Sequence, residues 1–205
     1  MSNGASLSVE LVRTAGESRD FPREDLPEVA AVGRSNVGKS SLLNCLFGIK
    51  GLAFVSKTPG RTQVVNFYRV GSEMVLVDLP GYGFAKVPDA VRRKWDSLVT
   101  SYLFERTALG LVLLLVDARR EPMDNDLQVR DLLERAGIPY VVVATKSDKL
   151  SRGRLGSEMK KLEKVYGASG NIPVIPFSAA TSEGRKELWK TIMNHVREPR
   201  RAPRT

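Results

Sequence analysis

Eight consecutive residues, Gly33, Arg34, Ser35, Asn36, Val37, Gly38, Lys39 and Ser40, have the spacing of a phosphate-binding loop. In such a loop backbone N–H groups wrap the phosphates, the lysine ammonium reaches the β- and γ-phosphates, and the serine hydroxyl ligates Mg²⁺. Glycines at both ends allow a tight path that a Cβ would block. At ordinary residue usage the fixed positions coincide by chance in about one chain in a hundred of this length. The motif therefore carries weight, but it names no base, reaction or partner.

Three further groups could act on the same ligand. Asp78, Leu79, Pro80 and Gly81 follow an apolar run. There the carboxylate would hold Mg²⁺ through water, and the Gly81 N–H would meet the γ-phosphate. The plainer alternative is a turn, since Asp-x-Pro-Gly is good turn chemistry. Thr145, Lys146, Ser147 and Asp148 follow another apolar run. A carboxylate accepts from both N1–H and the exocyclic amine of guanine, a donor pair that adenine lacks, so Asp148 points to guanine. The Lys146 stem would pack along the base plane. Phe177, Ser178, Ala179 and Ala180 end a third run. The small side chains of Ser178, Ala179 and Ala180 would let a backbone N–H reach the guanine oxygen.

These groups need a scaffold that brings them together. Residues 29–32 read as a short strand, and residues 39–47 as a helix with Leu42, Leu43, Leu46 and Phe47 on one face. Strand, glycine loop and helix are the setting that a phosphate loop requires. Further strands are expected over residues 7–12, 63–70, 73–77, 109–116, 139–144 and 172–177, with a hairpin turn at Gly71 and Ser72. Helices are expected over 88–104, 124–136, 151–166 and 182–196, Gly137 ending the second of these. Most strand runs are apolar throughout, which implies a mainly parallel sheet covered on both faces. Ligands bind such sheets at the carboxyl ends of the strands, where every candidate motif falls. Cys45 reads as a small buried side chain, Trp95 as core and His195 as structural.

The chain has 205 residues, with 42% hydrophobic and 27% charged, an ordinary balance for one packed domain. No apolar run approaches the ~20 residues needed to cross a bilayer, and no charged-then-apolar leader stands at the N-terminus. One cysteine excludes an internal disulfide framework, and one histidine leaves no Cys/His metal cluster. A reduced, cytoplasmic setting follows most simply. The formal charge is +9, with a sequence pI near 9.8. Three arginines face five acids over residues 1–27, so the excess lies beyond them. Such a surplus attracts nucleic acid, or anionic lipid by the same field.

The order and wording of these motifs resemble a family. Lys57, Thr58, Pro59, Gly60, Arg61, Thr62 and Gln63, then Asp78 to Gly83 followed by Arg92, Arg93, Lys94 and Trp95, look like the EngB-type GTPases (the YihA/YsxC group) of the Era-like superfamily. The resemblance spans about residues 5–196. It implies an α/β, Ras-like, three-layer α/β/α fold with a mostly parallel sheet and one antiparallel strand. Residues 1–27 would form a strand and connector packed on a GTP-binding domain of residues 28–196, with a basic tail over 197–205. The ligands implied are GTP or GDP and Mg²⁺, with Ser40 and Thr62 as direct magnesium ligands. Gly60, Arg61, Thr62, Gln63 and Val64 would belong to the first switch loop, and Asp78 to Gly81 would open the second. The implied role is assembly of the large ribosomal subunit, with a requirement in normal cell division and septation. The implied partner is that subunit or its precursor, through rRNA and ribosomal proteins. No dimer interface is legible, and a monomer is expected.

Three positions qualify the resemblance. Thr145 replaces the asparagine of most GTPase base motifs, which puts a loop-tethering contact in question. Tyr82 stands where many GTPases carry the glutamine that orients water. A phenol is a poor substitute, so hydrolysis should be slow. Related GTPases with asparagine at the place of Asn36 hold K⁺ beside the phosphates, a charge that could replace an arginine finger; the alternative is an asparagine that only braces the loop. Arg92, Arg93, Lys94 and the arginine tail read as RNA contacts, against a solvated helix face and a frayed end. The rival readings are a P-loop ATPase or kinase, and a membrane-surface or RNA-binding module with structural nucleotide.

Overall fold

The computed structural model describes residues 8–23, 25–53, 64–83, 89–167, 170 and 172–197, with side chains from residue 97 onward in the helix that starts at 89. In chain order the elements are β1 (Val9–Ala15), β2 (Glu28–Gly33), α1 (Lys39–Phe47), β3 (Val65–Val70), β4 (Met74–Asp78), α2 (Asp89–Glu105), β5 (Leu109–Asp117), α3 (Asp124–Arg135), β6 (Tyr140–Thr145), α4 (Arg152–Tyr166), β7 (Val174–Phe177) and α5 (Arg185–Arg197). The strands form one sheet in the order β1-β3-β4-β2-β5-β6-β7. Only β3 runs against the rest: it pairs antiparallel with both β1 and β4, and the other pairings are parallel.

The uniformly apolar strands are explained by burial on both faces. Along β5, Val112, Leu114 and Val116 meet one layer, which takes Tyr102 from α2, Leu133 from α3 and Leu162 from α4. Leu111, Leu113 and Leu115 meet the other, formed by Leu42 and Leu46 of α1 with Leu188 and Ile192 of α5. Each such side chain contributes about 1.5–3 kcal/mol when fully buried. The result is the three-layer α/β/α architecture.

Several elements differ at their ends from the sequence pattern, β1 and α5 by the most. Strand β1 runs on to Ala15 because Thr14 and Ala15 pair with Asn66 and Val65, and Thr14 Oγ1 donates to Asn66 Oδ1 at 2.8 Å. Helix α5 begins at Arg185 rather than 182, because Ser182 and Gly184 both have left-handed backbones.

A buried charge cluster was not visible in the sequence. Glu28, fully buried at the start of β2, accepts from Arg106 Nε (3.0 Å) and Nη2 (2.5 Å) and from the Tyr102 hydroxyl (2.9 Å). Arg106 Nη2 also donates to the Pro22 carbonyl at 2.6 Å. Phe21 packs on the Phe67 and Tyr102 rings at 5.6 and 5.7 Å. The connector before β2 is thus held by a desolvated ion pair and an aromatic cluster, where an unpaired charge would be costly.

Candidate nucleotide-binding site

The loop from Gly33 to Ser40 leaves the end of β2 and enters α1. Gly33 must lack a side chain: a Cβ there would lie 2.9 Å from Val37 Cγ1 and 3.0 Å from the Leu115 carbonyl oxygen. Gly38 caps α1 with φ +110°, a left-handed conformation that L side chains avoid. The first turn of α1 contains no acid, so its unsatisfied N–H groups present partial positive charge to an anion. Arg34 and Ser35 are half-buried, and Asn36 is exposed, with φ 62°.

The end of β4 lies alongside. Leu79 N–H donates to Ala31 O (3.1 Å), Tyr82 N–H to Gly33 O (3.3 Å) and Ser35 N–H to Tyr82 O (3.0 Å). This ladder holds Asp78, Leu79, Pro80 and Gly81 against the phosphate loop, and Lys39 Nζ pairs with Asp78 Oδ1. Ser40 is half-buried in the first turn of α1. A serine hydroxyl and a carboxylate are hard oxygen donors that suit Mg²⁺. Among the described residues no group of three or more His, Cys, Asp or Glu could hold a metal by itself. A cation beside Ser40 and Asp78 would therefore complete its shell with phosphate oxygens and water.

The ends of β6 and β7 form the other half. The single hydroxyl proton of Thr145 is within reach of Val37 O at 2.6 Å and Val116 O at 3.0 Å. Threonine thus supplies the tether to the phosphate loop that its departure from asparagine put in question. Lys146 takes φ 61°, and its Nζ donates to Asn36 O (2.7 Å) and Asp117 Oδ2 (3.0 Å). Burial alone would raise the Asp117 pKa, but hydrogen bonds from Arg119 and Lys146 outweigh it and hold the carboxyl well below the usual carboxylate range. Ser178 Oγ donates to Asp148 Oδ1 at 2.7 Å, and Lys149 Nζ lies 3.1 Å from Oδ2. The Ser178 bond, foremost, holds Asp148 below its ordinary value despite partial desolvation. Buried Ser147 faces Glu183, whose backbone carbonyl accepts from Ser178 N–H at 3.1 Å.

A cavity of about 730 Å³, of a size that takes a nucleoside, opens between these loops. Gly38, Thr145, Lys146, Asp148, Phe177, Ala179 and Ala180 line it. Ala180 N–H donates to Ser178 Oγ at 3.2 Å, so it is not free for a guanine oxygen. Among the described residues no acceptor takes the Ala179 N–H, which leaves it for that role. Cys45 also lines the cavity. It packs against the core but is only half-buried, with Sγ 3.7 Å from Ser182 Oγ, where the sequence reading has it buried. Sequence spacing held the signal: Leu42, Leu43, Leu46 and Phe47 take the core face of α1 and leave position 45 beside it.

Tyr82 is held on the far side of its ring by α3. It is 5% exposed, and its hydroxyl donates to Asp126 Oδ1 at 2.7 Å. Burial first, and then the Asp126 charge, push its pKa far above the ordinary phenol value. Asp126 Oδ2 accepts the Met123 N–H at 3.1 Å at the start of α3. Tyr82 is thus an anchor between the segment after β4 and α3. Gly60, Arg61, Thr62 and Gln63 lie outside the described residues, as do the side chains of Arg92, Arg93, Lys94 and Trp95 and the tail over 198–205. Val64 is described, half-buried before β3. His195 Nδ1 lies 2.9 Å from the Thr191 carbonyl oxygen within α5.

Parallel strand ends thus bring a phosphate loop, an acidic partner and a base pocket into one cleft, the site of a Ras-like P-loop protein. The family described as 50S ribosome-binding GTPase matches residues 28–146. The GTP-binding protein EngB of Solibacter usitatus is 47% identical over 188 residues, covering 92% of this chain and 96% of that one. EngB of Shouchella clausii is 41% identical over 188 residues, covering 92% and 95%. A crystal structure of an engB GTP-binding protein superposes with a TM-score of 0.67 at 24% identity, over 84% of this chain and all of that one, and supports the fold. The chain belongs to the EngB family of GTPases.

Proposed function

We propose that this protein is a GTP-governed switch that acts in assembly of the large ribosomal subunit, and that normal cell division and septation depend on it. The observation that carries the reading is the Ser178–Asp148 hydrogen bond of 2.7 Å at the head of the base cavity. It fixes a charged acceptor where guanine presents two donors. Ser40 and Thr62 would hold magnesium, with Asp78 acting through water. The ion supplies charge neutralisation at the β- and γ-phosphates when bound. Lys39 leaves its ion pair with Asp78 to reach those phosphates. Residues 60–64 and 78–81 order around the γ-phosphate and relax on hydrolysis.

Hydrolysis is slow in isolation, because no glutamine occupies the place of Tyr82. K⁺, if held at Asn36, would supply the charge that an arginine finger gives elsewhere. The description of the matching family as ribosome-binding and the basic excess of the chain favour a large-subunit precursor as partner. Among the described residues no helix is long and apolar enough to cross a membrane, and we place the protein in the cytoplasm as a monomer. Depletion in cells followed by gradient sedimentation tests the role. A large-subunit precursor should accumulate while mature small subunits persist; a normal large-subunit peak after full depletion contradicts it.

A further inference from the structure

Helix α4 is built against its own stability on one side. Its first turn contains no acid but has Arg152 and Arg154, so two cations sit at the positive end of the helix dipole. Gly153 and Gly156 follow, and glycine is a poor helix former beside alanine. Neither is required for space, because nothing lies within 4 Å of a Cβ built on either. Neither has a positive φ.

The placement of these residues is regular. Met159, Leu162 and Tyr166 turn to the core. Gly153, Ser157, Lys160 and Lys164 recur at i, i+4, i+7 and i+11, and all four are exposed. Arg152 and Arg154 flank this crest and are exposed as well. The acids of the helix are Glu158, paired with Lys161 at 3.1 Å, and Glu163 at the crest's edge. Among the described residues, Arg152, Arg154, Lys160 and Lys164 take part in no ion pair.

We infer that the exposed side of α4 is a contact surface for an RNA backbone. The small residues of the crest let a phosphodiester chain approach the helix closely, and the four cations neutralise its phosphates. The unfavourable dipole, the two glycines and the uncompensated charge then have one cause. A membrane surface fits less well, because an interfacial helix needs exposed bulky apolar side chains, and those of α4 are committed to the core. The inference deepens the proposed role in ribosome assembly and rests on it for the identity of the RNA.

The test uses the full chain, a labelled RNA hairpin of arbitrary sequence and anionic phospholipid vesicles. The variant R152Q/R154Q/K160Q/K164Q is compared with R19Q/R135Q/K186Q/K190Q, which removes equal charge elsewhere, and GDP binding reports that both fold. The α4 variant should bind the hairpin about 100-fold more weakly near 0.1 M salt, with the slope of log K against log salt reduced by about 3. The control should lose far less. G153A/G156A should melt higher yet bind RNA more weakly. Equal losses in the two charge variants, RNA binding unchanged by the alanine pair, or a loss confined to vesicles would each overturn the inference. Failure of the proposed function reads differently: the hairpin result stands, but association with large subunits ignores the bound nucleotide.

Discussion

Thr145 and Val37, 108 positions apart in the chain, are joined by a hydrogen bond of 2.6 Å from the threonine hydroxyl to the valine carbonyl. Lys146 adds a second tie to the next carbonyl back, that of Asn36, at 2.7 Å. The base motif and the phosphate loop therefore form one unit, and the distance between bound base and bound phosphates is set before ligand arrives. This is the preorganisation that a tight nucleotide site requires.

Asp148→Asn should weaken GDP by about 100-fold or more, since an amide presents an N–H donor to the guanine amine. The same variant should gain affinity for xanthosine diphosphate, whose C2 carbonyl matches that donor. Ser178→Ala, which only frees the carboxylate, should cost about tenfold. Calorimetric titration with the two nucleotides measures both, and unchanged guanine preference in D148N would reopen the ATPase reading.

Tyr82→Phe should leave intrinsic GTP hydrolysis within about twofold, because the hydroxyl faces Asp126 and not the phosphates. It should lower stability by about 1–3 kcal/mol, the cost of removing a donor from a buried carboxylate. Replacing K⁺ by Na⁺ should slow hydrolysis in both proteins if Asn36 holds the ion. Single-turnover phosphate release and urea unfolding separate these effects. A large rate loss in Y82F with normal stability would instead point to a chemical role for the phenol.

Arg106→Leu should destabilise the protein by about 3–5 kcal/mol, because it leaves the Glu28 carboxylate buried and unpaired. The double variant with Glu28→Leu should cost clearly less than the sum of the singles, since the apolar pair leaves no stranded charge. Denaturant midpoints for the four proteins close the cycle. Simple additivity would show that the pair is not coupled as the geometry requires.

Asp117 and Asp148 are both held below the usual carboxylate range. The sign is that of a depressed acid: the contribution is complete above the unfolded pKa and is lost as pH falls through the lower folded value. GDP affinity should therefore stay level from pH 8 down to about pH 5 and not fall in step with ordinary carboxyl titration near pH 4. Fluorescence titration with a labelled guanine nucleotide checks this. A decline centred near pH 4 or higher would contradict the assignment.

Much of the site was legible because its chemistry is local. Gly33, Gly38, Lys39 and Ser40 answer to backbone path and phosphate charge within one loop, and Asp148 to the edge of one base. The three layers were legible from strands with no polar face. What could not be read depends on pairings distant in sequence. Tyr82 meets Asp126 44 residues on, and Glu28 meets Arg106 78 residues on. Neither distance leaves a periodic trace. Thr145 looked like a weakened asparagine because its hydroxyl's acceptor, Val37 O, is fixed only by the packing of β6 beside the loop.

The central claim is that bound nucleotide governs association with the large subunit. Purified protein should be sedimented with isolated large and small ribosomal subunits under a non-hydrolysable GTP analogue, under GDP and without nucleotide. Strong recovery with the large subunit is expected under the analogue, much weaker recovery under GDP, and little with the small subunit. Equal recovery with the large subunit in all three states would contradict it.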